Sequence, residues 1–88
     1  MVKVSPEVIV SKINEYRERH GMSLTRLYLD ISDVARTRLH PHYVVIYHTV
    51  RAYLTTDRQS DHSTTYYALL VYYEKILREE EPSITLDK

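Results

Sequence analysis

The sequence predicts an all-α fold, a compact single-domain bundle of four to five helices spanning residues 1–88. Three observations predict it. There is one glycine in 88 residues, Gly21, whereas the tight turns of an all-β domain need several residues at positive φ. Apolar residues recur every three to four positions along most of the chain, the period of an amphipathic helix. The apolar stretches are separated by Gly, Pro or runs of polar residues, which read as helix ends. With 43% hydrophobic and 27% charged residues the chain should fold rather than remain disordered.

The first helix is expected over residues 6–20. Ser5 is a cap, Pro6 suits the first helical position, and Glu7 faces the positive end of the helix dipole. Ile13 and Tyr16 continue the apolar stripe begun by Val8 or Ile9, and Gly21 ends it. Ser23 is the next cap. From there Leu24, Leu27, Ile31, Val34 and Leu39 keep helical spacing, and two readings stand side by side. One is a single helix over 24–39; the other is a pair, 24–30 and 33–40, broken around Ile31-Ser32, where Ser32-Asp33 makes a second cap.

Pro41 marks the next boundary, because proline disfavours helix in the residue before it. Tyr43, Tyr47, Val50 and Leu54 then fall on one face, predicting a helix over 42–54; the β-rich run Tyr43-Val44-Val45-Ile46-Tyr47 makes a short strand at 43–47 the competing reading. Residues 55–63 read as a polar loop. A last helix is expected over 64–80, capped by Ser63, with Tyr66, Leu70, Tyr73 and Leu77 as its seam and Leu69 and Ile76 beside it. Residues 82–88 form a tail.

Composition excludes several functions. There is no cysteine, so disulfides, thiolate metal sites and cysteine nucleophiles are ruled out. No apolar run approaches the length of a membrane span, and the N-terminus does not read as a secretion signal; a cytoplasmic location is expected. His40, His42 and His48 lack a conventional zinc spacing, and Asp61-His62-Ser63 has the residue types of a hydrolytic triad without its geometry. Neither a metal, a cofactor nor an enzymatic activity is therefore expected.

Charge is balanced overall, 12 basic against 12 acidic residues, but unevenly distributed. Residues 16–62 carry seven arginines against five acids and hold all five histidines, whereas residues 63–88 carry three basic and five acidic groups. All basic groups in the middle are arginine, whose planar fork matches phosphates and guanine edges.

Within that basic middle, Gly21-Met22-Ser23-Leu24-Thr25-Arg26-Leu27-Tyr28 resembles the opening of a phage-repressor-type helix-turn-helix. Asp30-Ile31-Ser32 is similar to the turn of that family, Asp33 to Leu39 would occupy the place of its recognition helix, and His48 to Leu54 resembles the helix that closes its core. The likeness covers residues 9–54; Asp30 stands where the family usually has Gly, Tyr28 where a small residue is usual, and Arg36 where an apolar contact is common. The resemblance implies a small DNA-binding regulator with its motif at 23–40. Arg36, Thr37 and Arg38 would then face base edges or phosphates and Arg26 the backbone, with His40 completing the candidate duplex contacts.

Nine tyrosines and no Phe or Trp supply the aromatic packing, so rings are expected inside with hydroxyls at a rim or an interface. Helix 64–80 carries more apolar surface than one side of a helix needs. Tyr67, Val71 and Tyr72, off its main seam, are the candidate residues of a homodimer interface. Two functions therefore compete: a dimeric helix-turn-helix regulator of double-stranded DNA, and a non-enzymatic adaptor or inhibitor that docks on a protein partner through a Tyr/Arg surface. An unbroken helix from Leu24 to Leu39 would remove the motif and favour the second.

Overall fold

The computed structural model describes residues 4–55 and 64–80. They form four helices and, among the described residues, no strand: α1 (Pro6–Arg19), α2 (Leu24–Arg38), α3 (Tyr47–Thr55) and α4 (Thr64–Glu80). The all-α expectation is met. Ser63, the rest of the polar loop after Thr55, and the tail 82–88 lie outside the described residues.

Helix α1 starts after Ser5 as expected, although the Ser5 side chain makes no capping hydrogen bond, and it ends at Gly21. Pro6 occupies the first turn, Val8 and Ile9 both donate to the Ser5 carbonyl, and the Ser5 hydroxyl turns to the Glu7 carboxylate. At the other end Gly21 adopts φ +61°, the Met22 N–H donates to the Arg17 carbonyl and the Gly21 N–H to that of Glu18. These two crossed bonds satisfy carbonyls that a helix end would otherwise orphan.

Helix α2 is one continuous helix. Ser23 caps it, accepting from the Arg26 N–H at 3.1 Å, and it runs through Ile31-Ser32 without interruption. The two-helix reading, 24–30 and 33–40, is corrected on this point. Leu27, Ile31, Val34 and Ala35 are all buried on one stripe, and no Gly or Pro offers a break between them. Asp30, expected in a turn, is instead held on the helix by the Tyr72 hydroxyl at 2.8 Å. The helix stops where Leu39 and His40 both donate to the Ala35 carbonyl, just ahead of Pro41.

The expected helix over 42–54 is also corrected: it starts only at Tyr47, and residues 40–46 are irregular. Pro41 brings no N–H, a turn closes from the Tyr43 N–H to the His40 carbonyl, and the Tyr28 hydroxyl donates to the Val45 carbonyl at 2.8 Å. The β-branched run Val44-Val45-Ile46 also lowers helix propensity. The competing strand over 43–47 does not form either. The short α3 is tied to α1 by Asn14, whose side-chain amide donates to the Leu54 carbonyl.

Helix α4 packs on both α1 and α2, and α3 closes the remaining side. It runs parallel to α1. Near their starts the Tyr66 hydroxyl donates to the Val4 carbonyl; near their ends Tyr16 meets Glu79 and Arg19 meets Glu80. Its buried face is Tyr66, Leu69, Tyr72 and Ile76, with Thr65 and Ala68. The expected seam through Leu70, Tyr73 and Leu77 is therefore turned by roughly one residue's step, and those three side chains are half-buried. Ile9, Ile13, Leu27, Ile31 and Val50 complete the core.

Candidate docking surface

The connection between α2 and α3 carries an unusual surface. From residue 34 to residue 56 the chain has no Asp or Glu, but it has Arg36, Arg38 and Arg51 and three histidines. All three arginines, together with His40, His42 and His48, are exposed. Among them stand apolar side chains that the fold leaves in solvent: Val44 is 70% exposed and Ile46 56%, with Leu39 just before them. Val45, between the two, is 5% exposed. This out-in-out alternation is the side-chain period of extended chain.

Local contacts anchor the segment to its neighbours. The Val45 carbonyl is taken by Tyr28, whose ring stands edge-on to Tyr47 at 5.5 Å. The Ile46 carbonyl receives the Val50 N–H and starts α3. The Tyr43 hydroxyl donates to the Thr64 carbonyl at the start of α4, and burial pushes its pKa upward. On the N-terminal side the His42 N–H donates to Nδ1 of His40 at 3.1 Å, with the two rings 5.6 Å apart. The backbone N–H and carbonyl of Val44 have no hydrogen-bond partner among the described residues.

The five predicted duplex contacts are all exposed: Arg26, Arg36, Thr37, Arg38 and His40. The structure does not gather them on one face. Arg36, Thr37 and Arg38 are consecutive on a helix and fan around it at about 100° steps, and Arg26 lies about 15 Å back along the axis from Arg36. Thr37 spends its hydroxyl on the Asp33 carbonyl. His40 lies beyond the helix, in the acid-free connection. With α2 unbroken, 23–40 is not a helix-turn-helix.

Of the predicted dimer residues, Tyr72 is corrected. It is fully buried within the subunit, edge-on to Tyr16 at 6.1 Å and hydrogen-bonded to Asp30. Burial first, and the Asp30 hydrogen bond and charge next, raise its pKa far above the ordinary tyrosine value. Tyr67 is 39% exposed and Val71 half-buried, so both remain at the surface.

The remaining titratable groups make a clamp between helix ends. Lys12 and Arg19 of α1 both reach Glu80 of α4, at 2.7 and 2.9 Å. The Lys12 hydrogen bond, aided by Arg19 against an opposing effect of burial, holds the Glu80 carboxyl below its ordinary range. Lys75 does the same for Glu79, which also accepts from Tyr16. Lys12, Arg19 and Tyr16 of α1 thus join Glu79 and Glu80 of α4, while Lys75–Glu79 is a pair within α4. Among the described residues no three His, Asp or Glu side chains are grouped to hold a metal ion, and no helix is long and apolar enough to cross a membrane.

What sequence reasoning missed is the role of Leu39, Val44 and Ile46. A signal was present: a β-branched run behind a proline, inside a stretch without acids. Compared with protein-family models, curated proteins and solved structures, the chain matches none.

Proposed function

We propose that this chain is a non-enzymatic interaction protein that docks on a protein partner through the connection between α2 and α3. The observation that carries this reading is the exposure of Val44 and Ile46, in a stretch of sequence, 34–56, with three arginines and no acid. Exposed branched apolar side chains cost solubility, and a small protein that keeps them clustered within one short segment gains from covering them. The continuity of α2 supports the same choice, since a helix-turn-helix reader sets its recognition helix off by a turn. A cytoplasmic location belongs to this reading.

The duplex-binding regulator remains the second reading, favoured by the exposure of Arg36 and Arg38 beside His40. A homodimer through Tyr67 and Val71 is part of it, and light scattering across the micromolar range tests that assembly. To decide between the two, nuclease-treated extract is passed over the wild-type chain and over the Val44→Asp/Ile46→Asp variant. Anisotropy with random-sequence duplex at about 50 mM salt, where phosphate contacts are strongest, runs in parallel. A protein retained by the wild type and lost by the variant, with no duplex binding, is the expected result. Tight, salt-sensitive duplex binding with no retained protein would overturn the interaction reading.

A further inference from the structure

We propose that the turn from His40 to Tyr43 is a proton-sensitive latch, closed while the His40 ring is neutral and opened when that ring takes a proton. The latch stands whether or not a protein docks nearby.

The turn is built around one ring nitrogen. The Tyr43 N–H donates to the His40 carbonyl, which closes a turn with Pro41 at its second position, where a fixed φ suits it. The first position of such a turn favours Asp, Asn or Ser, because their side-chain oxygen accepts from the N–H two residues on. His40 holds that position here and plays the same part with nitrogen: the His42 N–H donates to its Nδ1 at 3.1 Å. A ring nitrogen accepts only while it carries a lone pair, so the bond fixes His40 as the neutral ring with its proton on Nε2. An amide oxygen in that place would accept at any pH. Imidazole stops accepting once protonated, and Nδ1–H would then face the His42 N–H, donor against donor.

The protonated ring has acceptors within reach. Every backbone N–H that follows α2 is committed elsewhere. Leu39 and His40 both donate to the Ala35 carbonyl, Pro41 has no N–H, and those of His42 and Tyr43 go to the ring and the carbonyl of His40. The carbonyls of Arg36, Thr37 and Arg38 receive none of them, and they form the negative end of the helix dipole. An imidazolium released from His42 can donate there.

The ring is exposed, so the proton comes from solvent. Its one ring neighbour among the described residues is His42, 5.6 Å away. The charged and titratable groups of the surrounding elements are Asp33, Arg36 and Arg38 of α2, Tyr47, His48 and Arg51 of α3, and Lys75 of α4, which shares a cleft with Asp33 and Arg38. None of them makes an ion pair or hydrogen bond with the His40 ring. Opening is confined to the turn. The bonds from the Tyr43 hydroxyl to Thr64 and from the Tyr28 hydroxyl to Val45 involve no histidine and hold the next residues in place.

The test follows the full chain, labelled with nitrogen-15, from about pH 7.5 to about pH 5, the range in which histidine titrates. Glu79 and Glu80 are held below the ordinary carboxyl value of 4.5 and stay ionised throughout, so the pairs between α1 and α4 do not change. At the upper end, long-range imidazole spectra should show His40 with its proton on Nε2 and a bare Nδ1. On acidification the His42 amide should shift in step with the His40 ring, and the heteronuclear NOE at His42 and Tyr43 should fall. His40→Asn keeps an acceptor in place and should hold the high NOE at both ends of the range. His40→Ala should show the low NOE at both ends. His42→Gln keeps the N–H, removes the second ring, and should still loosen on acidification. All three should keep the wild-type circular dichroism spectrum, because both side chains are exposed. A proton on Nδ1 of His40 at the upper end would overturn the latch. So would an unchanged NOE across the range in the wild type, or an equal fall in His40→Asn. Loss of the response in His42→Gln would overturn it as well, by assigning the titration to the other ring.

Discussion

The Tyr28 hydroxyl, 2.8 Å from the Val45 carbonyl, illustrates why this chain uses tyrosine where most small proteins would use phenylalanine. Five tyrosines bury or half-bury a ring and send the hydroxyl to a distant element: Tyr16 to Glu79, Tyr28 to Val45, Tyr43 to Thr64, Tyr66 to Val4 and Tyr72 to Asp30. Each one packs and ties at once, which suits a chain with no disulfide and a small core. Tyr28→Phe keeps the ring against Tyr47 and removes only the tie. It should destabilise the protein by about 1 kcal/mol, the net worth of one such hydrogen bond, read as a lower urea midpoint. Backbone order parameters from nitrogen-15 relaxation at Val44 to Ile46 should fall, because the tie to Tyr28 anchors that segment. Unchanged order parameters there would mean that Tyr28 does not anchor the segment.

At the scale of the element, α2 and α4 show what a single stripe of apolar residues can and cannot convey. Helix α1 is legible because Ser5-Pro6 and Gly21 mark both ends with residues of special backbone chemistry. The stripe Leu24, Leu27, Ile31, Val34 is the same whether the chain breaks at Ile31-Ser32 or not, so spacing alone leaves both readings open; the Tyr72–Asp30 bond that favours continuity joins residues 42 apart. The period of Tyr43, Tyr47, Val50 and Leu54 is real, but the helix begins only at Tyr47, after the turn at His40 to Tyr43 and a β-branched run. In α4, apolar residues surround so much of the helix that its buried face is set by neighbours, and Tyr72 goes inward because Asp30 awaits its hydroxyl. The exposed segment between α2 and α3 is half legible: its β-branched run and lack of acids are visible in the residues, its exposure is not.

The continuity of α2 yields its own prediction. The Ser32 hydroxyl is buried with no hydrogen-bond partner. Ser32→Ala removes an unsatisfied polar group and adds a better helix former, so stability should hold or rise by about 0.5 kcal/mol or more. Were Ser32 the cap of a second helix, the same change would cost about 1 kcal/mol. Urea unfolding distinguishes the two signs.

For the whole molecule, the ion pairs between α1 and α4 contribute to how stability depends on pH. Glu79 and Glu80 are held below the ordinary carboxyl value of 4.5. Their contribution is fully present above that value and is lost as pH falls through their lower folded values. Tyr16 and Tyr72 are raised above the ordinary tyrosine value of 10.0. Their contribution is fully present below pH 10 and is lost at higher pH, where the unfolded chain ionises and the folded one resists. The melting temperature should therefore form a plateau across neutral pH and fall on both sides. Glu80→Gln should flatten the acid limb while leaving the alkaline limb unchanged. An acid limb identical in that variant would show that the clamp does not govern acid unfolding.

The central claim is that the molecule meets a protein through the connection between α2 and α3, and does not meet duplex DNA through the arginines of α2. It is tested most directly by photocrosslinking in cells from a benzophenone amino acid placed at position 46 or, in a separate variant, at position 26. The account predicts a discrete protein adduct from position 46, absent from position 26 and abolished by Val44→Asp. A nucleic-acid adduct from position 26, with none to protein from position 46, would contradict it.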